Sequence, residues 1–303
     1  MVPFSTLKCL HLTYDQEKSA VFSFKFIQNF ENLESLTLYG GNSVEELCLH
    51  QEKDATEEPD QTLARLKELG LWCFLNLKRL FEDLEKVKPD KAFQTIEALY
   101  VNGLGQLERL LPFLDAFKNL KDLRVQDCSA MINVLVSSTA KSLPQLTRMS
   151  IEDCKQMREI MASEEGEIMD EIVFSRLRIL VFHNLPSLQC FYPGNSAMRF
   201  PVLDKLFLSQ CPEMRSFSNG IVTAQKLNRI IIEIVNEDIR TRGGIDWYLN
   251  SIEFDSTAKT HRWEGDINST VQKFWEDDSL CPRDLFTESM KWCASFNRTS
   301  LFS

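Results

Sequence analysis

The sequence predicts an α/β fold of stacked repeats, a curved solenoid with a parallel β-sheet on its concave face and irregular or short helical segments on its convex side. Three observations favour this fold. A triplet of aliphatic residues recurs along the chain, its members alternate as in a half-buried strand, and a cysteine recurs at a fixed distance behind it. Because one such unit cannot bury its own apolar face, the units must stack.

The triplet has the form Leu-x-x-Leu-x-Leu, with other aliphatic residues accepted at each position. Its leading residues are separated by 24 to 33 residues along the chain. The nine leading residues are Leu7, Leu33, Leu66, Ile96, Leu120, Leu146, Leu177, Leu203 and Leu227. A basic unit of about 24 residues with insertions lies in the range of leucine-rich repeats. The sequence therefore predicts a leucine-rich-repeat solenoid of about nine repeats.

A cysteine stands eight residues after the leading residue in three repeats. These are Cys128 in "FKNLKDLRVQDCSAMINVL", Cys154 in "LPQLTRMSIEDCKQMREIM" and Cys211 in "FPVLDKLFLSQCPEMRSF". Other repeats hold an apolar residue at the same place, namely Phe74, Leu104 and Leu185. Free cysteine packs like a small hydrophobic residue, so we interpret this slot as a buried packing position and not as a nucleophile, a metal ligand or half of a disulfide.

The pattern divides the chain into three parts. Residues 1–235 are expected to form the repeat array, without an amino-terminal cap, because Phe4 and Leu7 already match the strand frame. Residues 236–278 are expected to hold a degenerate last repeat, with a strand in 246–255, and a capping helix. Ser269 and Gln272 resemble the capping box of that helix. Residues 279–303 form a tail, and Met1 is expected to be internal to a longer protein.

Composition excludes several classes of function. The net charge of −10 argues against a nucleic-acid partner, because phosphate binding depends on clustered lysine and arginine. No signal peptide, membrane span, glycine-rich phosphate loop or metal-binding spacing occurs, so we predict no cofactor, no metal, no membrane span and no enzymatic activity. A dyad formed across repeats, such as Cys154 with His183, is the alternative that the sequence leaves open. An odd set of nine cysteines without paired spacing favours a reducing, cytoplasmic location.

The third, fifth and seventh positions of each triplet point away from the core, onto the concave face of the sheet. Aromatic residues and arginine are enriched at binding hot spots, so the sequence predicts a partner-binding surface there. The candidate residues are Tyr39, Trp72, Tyr100, Arg124, Arg148, His183, Lys205 and Phe207. The alternative is that their aromatic rings form a ladder that stabilises neighbouring strands.

Two acidic insertions account for long spacings between repeats. They lie within 51–61, around "EEPD", and in "SEEGEIMDE" from Ser163 to Glu171. We expect solvated loops, since runs of charge are usually solvated. The alternative is a docking patch for a basic surface.

The alternation of x-x-Cys-x-x-Met units with Leu-Pro-x-Leu units, together with "LPSLQCF", "CPEMRSF" and "HRWEGDINSTVQKFW", resembles a known family. It is similar to the carboxy-terminal leucine-rich-repeat region of plant coiled-coil nucleotide-binding leucine-rich-repeat (NBS-LRR) disease-resistance proteins. The resemblance covers residues 4–275.

This resemblance implies a protein-recognition domain of an intracellular immune receptor. Its ligand would be a pathogen effector or a host protein altered by one, in the defence response. An upstream nucleotide-binding domain, absent from this chain, would be a further partner. The alternative is a stand-alone leucine-rich-repeat adaptor, for example one that selects substrates for a ubiquitin ligase.

Overall fold

The structure is a computed structural model in which parallel strands follow one another at the spacing of the repeats. It describes residues 6–14, 21–24, 30–48, 65–80, 93–110, 117–164, 171–227, 229–231, 260–262 and 266–276. In this part of the chain, the side chains of residues 141, 229, 260–262 and 274–276 are outside the description. The fold is a parallel-strand solenoid, which confirms the predicted leucine-rich-repeat architecture.

Within the described residues, the main sheet has ten strands, and the first nine run parallel. Each of these nine begins two residues after a leading residue of the triplet, so the predicted frame is confirmed. Across the sheet they are β1 (Cys9–Thr13), β3 (Ser35–Gly41), β5 (Glu68–Phe74), β7 (Ala98–Asn102), β8 (Asp122–Gln126), β10 (Arg148–Glu152), β13 (Ile179–His183), β15 (Lys205–Ser209) and β17 (Arg229–Ile231). The tenth strand, β18 (Thr260–Arg262), pairs antiparallel with β17.

One face of this sheet carries the continuous core. On β8, Leu123 and Val125 are buried, and in-register neighbours such as Leu99 and Met149 are buried beside them. On β1, Leu10 and Leu12 are only partly buried against the same core. Each strand contributes two such side chains because alternate residues point to the same side.

The cysteine slot lies inside this core, as predicted. Cys128, Cys154 and Cys211 are all fully buried, and so are the apolar residues Phe74, Leu104 and Leu185 of the equivalent positions. Each thiol also donates a hydrogen bond to the backbone carbonyl two residues earlier, with sulfur–oxygen distances of 3.2 to 3.4 Å. In these three repeats the slot therefore combines apolar packing with a weak hydrogen bond at the end of the strand.

These thiols are expected to be inert in the folded protein. The hydrogen bond with Cys128 and, after it, burial raise the pKa of Cys154, so the reactive thiolate is suppressed. In contrast, Cys9 and Cys73 are exposed. We expect iodoacetamide to modify these two rapidly and the three slot cysteines only after unfolding. Mass-spectrometric mapping of the labelled peptides measures this.

Denaturation in concentrated guanidinium chloride is the control, because all cysteines should then react at similar rates. Native labelling of Cys154 as fast as that of Cys73 would contradict the buried slot.

Phenylalanines form a second ordered feature, in the turn three residues before the leading aliphatic residue. Phe93 stacks on Phe117 with ring centroids 5.1 Å apart, and Phe174 stacks on Phe200 at 5.2 Å. A further stacked pair, Phe191 with Phe217 at 4.8 Å, lies in the return segments. Stacked rings in neighbouring repeats hold the turns in register.

Short strands run along the returning segments of the repeats. They form one sheet of β2 (Val21–Ser23), β4 (Glu46–Cys48) and β6 (Arg79–Leu80), a pair of β9 (Leu135–Val136) and β11 (Met161–Ala162), and a sheet of β12 (Glu171–Val173), β14 (Ala197–Arg199) and β16 (Val222–Thr223). The six-residue helix α1 (Ser137–Ser142) follows β9. These elements agree with an irregular, partly helical convex side.

The second acidic insertion is attached to the repeats at both ends. Glu164 accepts hydrogen bonds from the Ser137 hydroxyl at 3.2 Å and from the Ser138 amide at 3.0 Å, at the start of α1. Glu171 begins β12 and pairs with Arg199 at 2.9 Å. Residues 165–170 and the first insertion, 51–61, lie outside the described residues.

Helix α2 (Ile267–Glu276) lies in the segment for which a capping helix is predicted. Ile267 and Val271 are buried, and the Asn268 side chain accepts hydrogen bonds from the Phe217 and Ser218 amides, both at 2.9 Å. The same side chain donates to the Gly220 carbonyl at 3.2 Å, so it attaches the helix to the return of the repeat that begins at Leu203.

The predicted capping box at Ser269 and Gln272 is wrong by three residues. The helix begins at Ile267, so the cap is Asp266, whose carboxylate accepts the Ser269 amide at 2.8 Å. The strand predicted within 246–255, the tail 279–303 and the side chains of Phe274 and Trp275 lie outside the described residues.

Candidate functional site

The outward face of the main sheet carries three rows of side chains at the third, fifth and seventh triplet positions. Strand register brings these rows together across neighbouring repeats, with strands about 4.8 Å apart. The predicted site residues therefore lie on one continuous surface, but they differ in exposure and in partners. We call this surface the concave face.

The first group on the concave face is aromatic. Tyr39 and Trp72 lie opposite each other on β3 and β5, with ring centroids 6.1 Å apart and planes tilted by 32°. Tyr39 is 36% exposed, and Trp72 is partly exposed. Gly70 makes room for the indole, because a Cβ at this position would lie 3.0 Å from the Trp72 ring nitrogen.

The next group on this face places a cation over an aromatic ring. Tyr100 on β7 lies opposite Arg124 on β8, and the guanidinium carbon is 5.0 Å from the ring centroid. The Arg124 Nε and Nη2 atoms donate to both carboxylate oxygens of Asp122 at 2.6 to 3.1 Å. Arg124 is thus held in one orientation over Tyr100. Asp122 is not among the residues predicted from sequence, although its position two residues before Arg124 on the same strand face signals the pair.

Three predicted residues continue the face toward the carboxy-terminal repeats. Arg148 lies beside Asp122 in register, and His183 lies between Glu152 and the buried Ser209. Lys205 begins β15. The side chains of Arg148, His183 and Lys205 are all partly buried, so this half of the face is more enclosed than the aromatic half.

Phe207 differs from the sequence expectation. Its side chain is 0% exposed, although it points away from the main core as predicted. The in-register neighbours Val181 and Ile231 are also buried, so three apolar side chains form a packed row on adjacent strands. Phe207 is therefore a packing residue in this state and not an exposed contact.

A polar ladder follows the carboxyl ends of the strands. Asn184 donates to the Asp153 carboxylate at 2.7 Å, Gln126 donates to the same carboxylate at 3.3 Å, and Asn102 donates to Gln126 at 3.1 Å. Burial, and secondarily the Asp153 carboxylate, raise the pKa of Asp127. Asp127, Asp153 and Asn184 have positive φ angles of 50° to 57°, a conformation that Asp and Asn tolerate. The ladder extends the sheet by one polar layer.

Charges alternate at the opposite, amino-terminal edge. Glu34 lies between Lys8 at 2.9 Å and Lys67 at 2.8 Å, and Lys121 pairs with Glu97 at 2.8 Å. Hydrogen bonds from Lys67 and then Lys8 lower the pKa of Glu34 to about 2. An open groove of about 770 Å³ runs along this edge. The groove is lined by three cations, Lys8, Arg65 and Lys67, and by two carboxylates, Glu34 and Glu97, so the pairing only partly cancels its charge.

Within the described ranges, no group of three or more histidine, cysteine or acidic side chains is arranged to hold a metal ion. None of the helices in those ranges is long and apolar enough to cross a membrane. The Cys154 thiol donates to the Glu152 carbonyl and is fully buried, which does not suit a nucleophile.

Comparison with known proteins decides the family. A sequence profile described as "Plant disease resistance protein RPS2-like, leucine-rich repeats" matches residues 2–116 and 111–234, which is well over half of the chain. The chain belongs to this family. Members of the RPS2-like repeat family and proteins with this fold are typically non-catalytic modules for protein interaction. The resemblance stated from sequence is confirmed.

Curated relatives carry related names. The chain is 29% identical over 127 residues to the Arabidopsis thaliana disease resistance protein UNI, covering 42% of this chain and 14% of UNI. It is 24% identical over 146 residues to the Arabidopsis thaliana disease resistance protein SUMM2, covering 48% of this chain and 15% of SUMM2. The chain thus spans about one-seventh of the length of these relatives.

A solved structure is also similar to this RPS2-like repeat chain. It is the leucine-rich repeat domain of the type III effector XopL, with a TM-score of 0.45 and 19% sequence identity. The match covers 74% of this chain and 71% of that domain.

Proposed function

We propose that this chain is the protein-recognition domain of a plant intracellular immune receptor, and that it senses a pathogen effector or a host protein modified by one. Membership of the RPS2-like repeat family supports a role in defence. The observation that carries the recognition role is the concave face, where Tyr39, Trp72, Tyr100 and Arg124 lie on four neighbouring strands. Large rings and arginines on a rigid sheet are typical hot-spot residues.

The proposal includes a place for the chain within a receptor. Residues 1–235 form the sensing array, 236–278 close it, and 279–303 follow as a tail. The array works in the cytoplasm beside an upstream nucleotide-binding domain. A ligand that binds the released state of that receptor more tightly than the resting state shifts the equilibrium toward release.

Surface plasmon resonance on the full chain tests the sensing role. The analytes are purified pathogen effectors and the host proteins that they modify. We expect at least one analyte to bind, and Trp72→Ala to weaken its affinity at least about tenfold, because aromatic anchors dominate such interfaces. The matched control is Arg199→Ala, an exposed residue on β14 outside the main sheet, which should leave the affinity unchanged.

Two outcomes would overturn the proposal. One is that no effector or host protein binds. The other is that binding is equal in the wild type and in Trp72→Ala, with thermal unfolding confirming that both are folded. Binding of a ubiquitin-ligase core subunit in place of the effector panel would favour the stand-alone adaptor.

A further inference from the structure

The aromatic half of the concave face has a specific chemical character. Tyr39, Trp72 and Tyr100, which we call the aromatic patch, surround Gly70 on three adjacent strands. Tyr100 lies directly opposite Gly70, and Tyr39 lies directly opposite Trp72. Residues two apart on one strand are roughly 7 Å apart on the same face, so Trp72 lies beside Tyr39 and diagonally next to Tyr100.

Glu68 adds a charge beside the patch. It lies two residues before Gly70 on β5, therefore on the same face, and its side chain is exposed. Within the described part of the chain, the Glu68 carboxylate has no salt-bridge partner. A carboxylate on an open surface next to three rings attracts a cation more strongly than the rings alone.

The strands that carry the patch have no lysine or arginine on their outward face, and Arg124 on the neighbouring strand β8 is paired with Asp122. The outward positions of β1, β3, β5 and β7 hold Glu68 as their acidic residue and contain no lysine or arginine. They are Cys9, His11, Thr13, Ser35, Thr37, Tyr39, Glu68, Gly70, Trp72, Ala98, Tyr100 and Asn102. The chain as a whole has a net charge of −10. Both the local and the overall charge favour a basic ligand.

The protein already shows this kind of contact at the border of the patch. The Arg124 guanidinium lies 5.0 Å from the Tyr100 ring centroid, within the distance at which cations are attracted to aromatic faces. Asp122 holds that guanidinium with two carboxylate oxygens, so an acid and a ring together fix one cation. On β5, two strands toward the amino terminus, Glu68 and Trp72 also place an acid and a ring on one face, and the outward positions of that strand carry no cation.

We infer that the aromatic patch together with Glu68 binds a cationic side chain, lysine or arginine, presented by the protein ligand. This inference rests on the proposed function, since it names the chemistry that the sensing face recognises. Cation–π attraction to the rings and Coulomb attraction to Glu68 act on the same group, which explains why the patch combines aromatic residues with one acid.

The Trp72 indole signal provides a direct test. Five tryptophans give five indole NH signals in a nitrogen–proton NMR spectrum, and Trp72→Phe identifies the one from Trp72. The probe is the peptide acetyl-Gly-Arg-Gly-amide, titrated into the full chain. We expect saturable movement of the Trp72 signal with a dissociation constant on the order of 1 mM, as suits a single side chain on an open surface.

A second peptide and two variants test whether the charges of the peptide arginine and of Glu68 cause the binding. A citrulline peptide has nearly the same shape without the charge, and we expect it to bind at least about fivefold more weakly. Glu68→Gln should weaken the arginine peptide by a similar factor, and added salt should weaken it further. The control variant is Glu171→Gln, an exposed acid on β12 away from the main sheet, which should not change the titration.

Equal binding of the arginine and citrulline peptides would overturn the inference, and so would a Trp72 signal that does not move. The outcomes are separable from those of the proposed function. If an effector binds and Trp72→Ala abolishes binding while Glu68→Gln does not, the sensing role stands and the cationic inference fails. If no effector binds but the arginine peptide does, the inference about the patch stands and the proposed sensing role fails.

Discussion

Replacing Leu123 by aspartate is expected to prevent the repeat array from folding. Leu123 is 0% exposed at the centre of the sheet, between the equally buried Leu99 and Met149. The substitution removes a large apolar side chain, at a cost of about 2 to 5 kcal/mol, and buries a carboxylate without a partner, at a further cost of several kcal/mol. Whole domains have unfolding free energies of about 5 to 15 kcal/mol.

The position of Leu123 increases this effect. In a solenoid, each repeat is stabilised by its two neighbours, so a defect in a middle repeat removes two interfaces. We expect the variant to lose the far-ultraviolet circular dichroism of the sheet and its cooperative thermal transition, and to be recovered mainly as insoluble protein.

Arg124→Gln, one residue later, is the matched control. Arg124 lies on the opposite face of the strand, where it contacts Asp122 and Tyr100 on a partly exposed surface. Losing such an ion pair costs about 1 kcal/mol or less, so this variant should fold with nearly the thermal stability of the wild type. Similar stability of the two variants, whether both fold or both fail, would contradict the assignment of faces on β8.

The sequence was sufficient to predict the strands of the main sheet because two independent periods coincide there. Side chains alternate with a period of two along a strand, and units recur at the repeat spacing, so each leading aliphatic residue fixes both the face and the start of a strand. The buried slot of Cys128, Cys154 and Cys211 follows from the same frame. Residues buried at regular intervals produce a regular pattern of apolar residues, which can be seen in the sequence.

Other features depend on contacts that do not recur at a regular spacing along the sequence. The strands of the small sheets are only two or three residues long, too short for alternation to show. The burial of Phe207 depends on Val181 and Ile231 beside it, and its own position in the triplet indicates only the direction of its side chain. The Asp122–Arg124 pair depends on side-chain conformation. Sequence therefore predicted the direction of these side chains better than their exposure.

Gly105→Ala is expected to cause a second large loss of stability. A Cβ at position 105 would lie 2.3 Å from the Leu75 backbone carbonyl oxygen, in the preceding repeat. The Gly105 amide also donates to the Phe74 carbonyl at 3.3 Å. Backbone cannot move aside as a flexible side chain can, so the two repeats would be forced apart. We expect a loss on the order of 3 kcal/mol, measured by urea denaturation.

Gly41→Asn is the control that distinguishes close contact with neighbouring backbone from the conformational freedom of glycine as the cause of the loss in Gly105→Ala. Gly41 has a φ of +62°, which asparagine tolerates, and the nearest atom to a Cβ there is the Tyr14 carbonyl oxygen at 3.8 Å. This variant should therefore lose less than about 1 kcal/mol. Position 105 does not tolerate a side chain because it contacts the backbone of the preceding repeat, and not because of its own backbone conformation. A large loss of unfolding free energy in Gly41→Asn, with little loss in Gly105→Ala, would contradict this explanation.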